Sequence, residues 1–195
     1  MKHSFQIAVI GARYTGKTSI IGRYVSGSFS NYTFTSPIPT ESKVSIRLPN
    51  KQTVELQIWD ISGSEDAKMI SIPCVQNSNA VIFVSSYDVE DSVSCVKSTW
   101  LPVVQESRNN AVMCVINKSD IKNTEKSKLS DEVVQELKEE FGGSFIETSA
   151  LNGNGIDQLF KSITEKYFQV KTVTKNKTPG NTSETKEEKD KCFIQ

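Results

Sequence analysis

The chain has 195 residues, and its 23 Lys and Arg balance 23 Asp and Glu, so no net field draws it to nucleic acid and DNA or RNA partners are not expected. No run approaches the roughly 18 consecutive apolar residues of a membrane span, and Met1-Lys2-His3-Ser4 lacks a signal-peptide core, so a cytosolic chain is expected, with His3 solvated. Cys74, Cys95, Cys114 and Cys192 are far apart and form no Cys-x-x-Cys pair, the usage of reduced thiols rather than of a disulfide frame or zinc site.

Phe5–Ile10 is an apolar run that predicts a buried strand. It leads into Gly11-Ala12-Arg13-Tyr14-Thr15-Gly16-Lys17-Thr18-Ser19, and Ile20, Ile21, Tyr24 and Val25 then recur at helical spacing within Lys17–Val25. Gly-x-x-x-x-Gly-Lys-Thr between a strand and a helix is a phosphate loop. Its backbone N–H groups turn inward around nucleotide phosphates, Lys17 reaches the outer ones, Thr18 offers its hydroxyl to Mg²⁺, and the helix N-terminus adds positive potential. This loop leaves the base open, because ATPases, kinases and GTPases share it.

Lys43–Leu48 and Thr53–Asp60 read as two strands of a hairpin turning through Pro49-Asn50-Lys51-Gln52. Ala80–Ser86 is the next strand, and Val93, Val96 and Trp100 mark a helix. Ala111–Asn117 reads as a buried parallel strand that runs out into Asn117-Lys118-Ser119-Asp120. That tetrapeptide therefore falls at a strand's carboxyl end, where open α/β sheets bind ligands. A carboxylate at Asp120 can accept from both the ring N–H and the exocyclic amino group of guanine, whereas adenine presents a lone pair there. Lys118 can lay its stem along the base face, and Asn117 can brace neighbouring loops. Val133, Val134, Leu137 and Phe141 form the next helical stripe, then strand Ser144–Thr148 ends in Glu147-Thr148-Ser149-Ala150, and Ile156, Leu159, Phe160, Ile163 and Tyr167 close the pattern. Six strands alternating with helices predict one α/β domain over residues 1–170. Its mostly parallel sheet carries one antiparallel edge strand and is covered by helices on both faces.

Gly11–Thr18, Asp60-Ile61-Ser62-Gly63, Asn117–Asp120 and Glu147–Ala150 together resemble the Ras superfamily of small GTPases over residues 5–168. Leu56-Gln57-Ile58-Trp59-Asp60 and Tyr87-Asp88-Val89 look specifically like its Rab branch. The resemblance implies a P-loop small G domain that binds GTP or GDP with Mg²⁺, hydrolyses GTP, and switches effector recruitment in vesicular membrane traffic. By the same resemblance, Asp60 holds a water on Mg²⁺, Gly63 offers its N–H to the γ-phosphate, and Phe29 packs against the base. Ala150, beside Ser149, offers its N–H to the guanine carbonyl. Counting from Lys17 puts the residue that reaches Mg²⁺ and γ-phosphate at Ser36, with Thr35 and Thr40 as alternatives. Exchange factors, activators and effectors are expected on residues 31–45 and 59–75.

The catalytic positions are Gly63, which keeps the Asp-x-x-Gly glycine, and Ser64, and the departures from the family pattern fall mainly at this hydrolytic machinery. Ser64 stands where the family carries the glutamine that orients the attacking water, and its hydroxyl is too short for that placement. Glu65 is repelled by the γ-phosphate and is no substitute. Arg13, beside Tyr14, replaces a small residue; it either crowds the space of an activator's arginine finger or itself places charge near the phosphates. Slow hydrolysis is expected, and a nucleotide-locked interaction scaffold is the alternative. Pro37 and Pro39 stiffen the first switch. Trp59 matches an aromatic that Rab proteins present to effectors, but its neighbours are Ser42 and Cys74 rather than aromatics.

From Lys171 to Gln195 the composition changes to Lys, Thr, Ser, Asn and Glu without periodicity, which predicts a flexible tether. It ends in Cys192-Phe193-Ile194-Gln195, a CaaX prenylation signal whose terminal Gln favours farnesyl. One isoprenoid anchors weakly and reversibly. Exchange between the cytosol and the cytoplasmic face of a membrane is therefore expected.

Overall fold

A computed structural model describes residues 3–31, 36–48, 51–107 and 111–175. Thr35, the turn residues Pro49 and Asn50, the His3 side chain, the tether beyond Lys175 and Cys192 lie outside the described residues. In chain order the elements are β1 (His3–Ile10), α1 (Lys17–Ser26), β2 (Thr40–Arg47), β3 (Thr53–Asp60), α2 (Glu65–Asn77), β4 (Ala80–Ser86) and α3 (Ser92–Cys95). A π turn (Val96–Trp100), α4 (Leu101–Gln105), β5 (Ala111–Asn117), α5 (Asp131–Phe141), β6 (Phe145–Glu147) and α6 (Ile156–Lys175) follow. The sheet order is β2-β3-β1-β4-β5-β6. Among the described residues only the β2–β3 hairpin is antiparallel; the other neighbours pair in parallel. This is the six-stranded, mostly parallel sheet with one antiparallel edge strand expected from the alternation of strands and helices, and it fits the small G domain that the resemblance implies.

Alternation along the strands sorts their side chains into two cores, one per face. Ile7, Val9, Ile82 and Val84 point to the face covered by α1 and α6, where they join Ile20, Leu159, Phe160 and Ile163. Ala8, Ile10, Val81 and Phe83 point to the opposite face, with Val75, Trp100, Val134 and Leu137. Aromatic stacking reinforces the first core, with Phe5 and Tyr167 ring centroids 4.4 Å apart and Tyr24 and Phe160 3.9 Å apart. Both faces of β4 are buried along its whole length, which explains its unbroken apolar run.

Three local differences from the sequence reading have physical causes. β2 starts at Thr40 rather than Lys43 and pairs Thr40 with Asp60, so the hairpin extends to the site edge of the sheet. Helix α2 has no counterpart in the sequence pattern. It buries only Ala67, Ser71 and Val75, carries Pro73 inside, and leaves Met69 and Ile70 exposed, so it shows no apolar stripe. The Ser64 cap, with Glu65 and Asp66 in the first turn, starts it. The helix expected around Val93, Val96 and Trp100 widens into a π turn because Pro102 has no N–H for the normal ladder; the Leu101 N–H reaches back to the Val96 carbonyl. Helix α6 continues past residue 170 to Lys175. Among the described residues no helix is long and apolar enough to cross a membrane.

Ile82 is fully buried between the two central strand neighbours of β4, so Ile82→Ala should cost about 2–5 kcal/mol. Ser130 caps α5 by accepting from the Val133 N–H, and Ser130→Ala should cost about 1 kcal/mol. Urea unfolding of both variants measures the contrast, and equal losses would contradict this account of where stability resides.

Candidate nucleotide-binding site

The parallel strands all end on one edge of the sheet, and the loops that follow β1, β3, β4, β5 and β6 converge there. The phosphate loop leaves β1 at Gly11 and enters α1 through Gly16. Both glycines have left-handed φ, +149° and +85°. A Cβ on Gly11 would lie 2.1 Å from the Val84 carbonyl oxygen, and one on Gly16 would lie 2.4 Å from Asn117 Nδ2. The loop is thus pressed against the neighbouring strand on one side and the base motif on the other. Tyr14, 82% exposed, is held at φ 64°, and its carbonyl accepts from Lys118 Nζ at 2.7 Å. Lys118 itself sits at φ 62°. Left-handed backbone at a non-glycine residue costs about 1–3 kcal/mol, and here the two strained residues hold each other.

Lys17 is buried, and its ammonium donates to the carbonyls of Gly11 at 3.1 Å and Ala12 at 2.7 Å. Burial lowers its pKa to about 8, against the pull of Asp60. Thr15 is buried and donates its hydroxyl to Ala12. Thr18 donates to Asp60 Oδ2 at 2.6 Å. Burial raises the Asp60 carboxyl, opposed by the Thr18 hydrogen bond and the Lys17 charge. Asp60 Oδ1 is buried without a hydrogen-bond partner. A buried carboxylate oxygen in that condition calls for a donor or a cation, and a hydroxyl beside a carboxylate is the oxygen chemistry that suits Mg²⁺. Among the described residues no cluster of three or more His, Cys, Asp or Glu could cage a metal.

Gly63 packs directly on the phosphate loop, where a Cβ would meet Ala12 C and Arg13 N at 2.5 Å. Ser64 uses its hydroxyl to cap α2: it accepts from the Ala67 N–H and from the Ser62 hydroxyl, each at 3.3 Å. Arg13 is exposed on the rim of a second cavity of about 400 Å³ that also takes in Gly63 and Glu65. Ser36 accepts from the Ile38 N–H within its own loop and is not one of the residues lining the cavity that Lys17 and Asp120 share. Thr40 lies at the start of β2 opposite Asp60.

Asn117, only 1% exposed, joins three loops. Its Nδ2 donates to the Thr15 carbonyl at 2.9 Å, and its Oδ1 accepts from the Thr148 hydroxyl and the Ala150 N–H, both at 3.2 Å. The Ala150 N–H, which the resemblance assigns to a base carbonyl, is therefore turned toward Asn117 here. The Ser149 hydroxyl donates to Asp120 Oδ1. A cavity of about 420 Å³ runs from Lys17, Thr18 and Ser19 past Phe29 to Lys118, Asp120 and Ala150. The two motifs that sequence spacing placed a hundred residues apart thus face one space.

Several residues of this space carry no signal in the motifs. Ser30, Asn31 and Leu151 also line it. Asp88 pairs with Lys118 Nζ at 2.7 Å and is held in turn by the Ser86 hydroxyl; its place just after the carboxyl end of β4 was the available clue. Arg23, on α1, donates to the carbonyls of Ala150 and Leu151, a contact no local pattern announces.

A model of the Ras family matches residues 6–169, a span that holds nearly the whole sheet and every loop of the site. Among curated proteins the chain is similar to Rab-3C of Bos taurus, 31% identical over 84% of the chain and 71% of that protein. It is also similar to Rab-13 of Canis lupus familiaris, 30% identical over 83% of the chain and 78% of the relative. A third relative is RabC of Dictyostelium discoideum, 32% identical over 80% of each. The chain spans 65% of the length of Rab-26 of Rattus norvegicus, which it matches at 25% identity. The phosphate loop and the base motif both fall within this match, and the chain belongs to the Ras family as a Rab-like small GTPase.

Proposed function

We propose that this chain is a GTP- and GDP-binding switch of Rab type that hydrolyses GTP slowly and recruits effectors in vesicular membrane traffic. The observation that carries the reading is the single cavity shared by Lys17 and Asp120. Its ends match a polyphosphate and a base that donates twice. Lys17 answers the outer phosphates, and Asp120, steadied by the Ser149 hydroxyl, answers guanine. Adenine would leave that carboxylate opposite a lone pair, so discrimination is strong. Lys118, pinned by Asp88 and Tyr14, presents its stem to the base face, with Phe29 on the cavity wall.

Mg²⁺, when bound, offsets phosphate charge as a Lewis acid. Thr18 and Asp60 are the residues that would hold it, the latter through a water, with the first switch adding Ser36, Thr35 or Thr40. Gly63 lies against the loop where a γ-phosphate contact would be made. Ser64 has its hydroxyl committed to the start of α2 and has no reach to place an attacking water. Unassisted turnover in this class is on the order of 10⁻⁴ per second, and an arginine finger adds about 10³ to 10⁵. Arg13 stands at the rim such a finger would cross. The capping role of Ser64 equally favours a second reading, a nucleotide-locked scaffold whose partner recruitment does not distinguish GTP from GDP.

Partners fit the two switch regions. Ile38, Met69 and Ile70 are large apolar side chains left exposed there, beside half-buried Trp59 and Cys74. Effectors that require three aromatics would not match Ser42, Trp59 and Cys74. Cys192 is the prenyl acceptor that would hold the protein on the cytoplasmic face of a membrane, in exchange with the cytosol.

Calorimetry should show GTP and GDP binding at least 10²-fold tighter than ATP, and Asp120→Ala should abolish that margin by removing a charged acceptor of two bonds, about 1.5–3 kcal/mol each; equal affinities for both triphosphates would refute the guanine assignment. In single-turnover assays Ser64→Gln combined with Arg13→Gly should speed GTP loss about tenfold or more, and an unchanged rate would remove this explanation of slow hydrolysis. Cys192→Ser should leave the protein wholly in the soluble fraction after cell fractionation; undiminished membrane pelleting would exclude the anchor.

A further inference from the structure

The second base loop, Thr148-Ser149-Ala150, hangs from a weak support. β6 is three residues long, lies at the sheet edge and pairs only with β5. Its last residue, Glu147, gathers contacts from three other elements instead. The Tyr87 hydroxyl, just past β4, donates to Oε2 at 2.8 Å. Lys122, in the turn that follows Asp120, donates to both carboxylate oxygens at 3.0 Å. Lys138 of α5 reaches Oε1 at 3.0 Å.

The three partners and Glu147 itself are held in place. Tyr87 is 1% exposed; its N–H donates to the Asn117 carbonyl at 3.2 Å, and its carbonyl accepts from the Lys128 N–H. Lys122 Nζ lies 5.8 Å from the Tyr87 ring centroid, and Lys138 Nζ lies 5.8 Å from that of Phe145. Burial pushes the Glu147 carboxyl upward, but the hydrogen bonds from Tyr87, Lys122 and Lys138 outweigh it and hold the group below its usual range. It is a carboxylate at neutral pH. Burial, then the bond to Glu147, raises the Tyr87 phenol, so it stays a donor.

None of these four side chains lines the cavity, and none touches the phosphate loop in the contacts above. What the carboxylate does is tie the end of β4, the turn carrying Asp120 and the start of the Ala150 loop to one point. We propose that Tyr87, Lys122 and Lys138, acting through Glu147, are positioning residues that fix the distance between Asp120 and the Ala150 loop and thereby set guanine selectivity and the lifetime of bound nucleotide. This inference rests on the guanine-nucleotide reading above. Through-residue action of this kind predicts a base-specific effect: a loosened clamp misplaces Asp120 against the exocyclic amino group of guanine, a group that hypoxanthine lacks.

The experiment uses the full chain loaded with GDP or with IDP, each chased by excess unlabelled nucleotide. Tyr87→Phe deletes one hydroxyl and keeps the ring, and Glu147→Gln keeps an acceptor for Tyr87 while removing the charge that the lysines share. GDP release should speed about threefold in Tyr87→Phe and about tenfold in Glu147→Gln. IDP release should change less, so the GDP-to-IDP ratio narrows. Equal acceleration of both nucleotides, or no acceleration in Tyr87→Phe, overturns the positioning role. If Glu147→Gln does not fold, Tyr87→Phe alone decides. A wild-type chain that fails to prefer GDP over ADP would sink the guanine reading and this inference together, whereas a wild type that prefers GDP alongside unaltered variants would sink this inference only.

Discussion

The Asn117 amide is a buried polar group with three partners drawn from two other chain segments, the loop after β1 and the loop after β6, and the geometry of the site is set around it. An amide inside a protein has to satisfy its donors and acceptors, because leaving one unpaired costs about 1–3 kcal/mol. Satisfying this one requires the Thr15 carbonyl, the Thr148 hydroxyl and the Ala150 N–H to be in place together. The requirement spans residues more than a hundred positions apart in sequence. Gly16 follows from it, since any side chain there would enter the space of the amide. So does the left-handed pair Tyr14 and Lys118, whose mutual bond closes the same gap from the solvent side.

Around that fixed point the site is divided by charge. On the phosphate side a buried lysine rests on backbone carbonyls and a buried carboxylate keeps one oxygen unpaired. Both arrangements are costly without an anion and a cation to answer them. On the base side the charges are instead paired within the protein, Lys118 with Asp88 and Lys122 and Lys138 with Glu147. The first half is built for ligands that carry charge, the second for rigidity. A base contributes little charge, so a loop that reads it has to be held by the protein itself.

Helix α2 obeys different rules. Helix α2 buries three small side chains and leaves Met69 and Ile70 in solvent, which means that little packing energy holds it in place. Elements of low local stability are where motion and partner binding concentrate. Ser64 adds a cap to this helix, which commits its hydroxyl to the start of α2. Charge pairs thus brace the Lys118 and Glu147 side of the site, while α2 on the other side is lightly packed.

Strand periodicity, the phosphate loop and the strand-end tetrapeptide at Asn117 were legible from residue order, because each is set by local chemistry: alternation follows from the pleat, and Gly-x-x-x-x-Gly-Lys-Thr from what a phosphate needs of a backbone. Five of the six strands were bounded to within two residues by that means, and both cores were implied by it. Helix α2 was not legible, since its apolar residues make no stripe. Nor were Asp88, Arg23 or the partners of Glu147, which act across the fold on groups they do not neighbour in sequence. Residue order by itself determined the class of ligand site and the sheet that bears it. Only the tertiary structure decided which charges meet, where Ser64 spends its hydroxyl and what holds the base loop, because hydrogen bonds between distant segments depend on distances that no local pattern encodes.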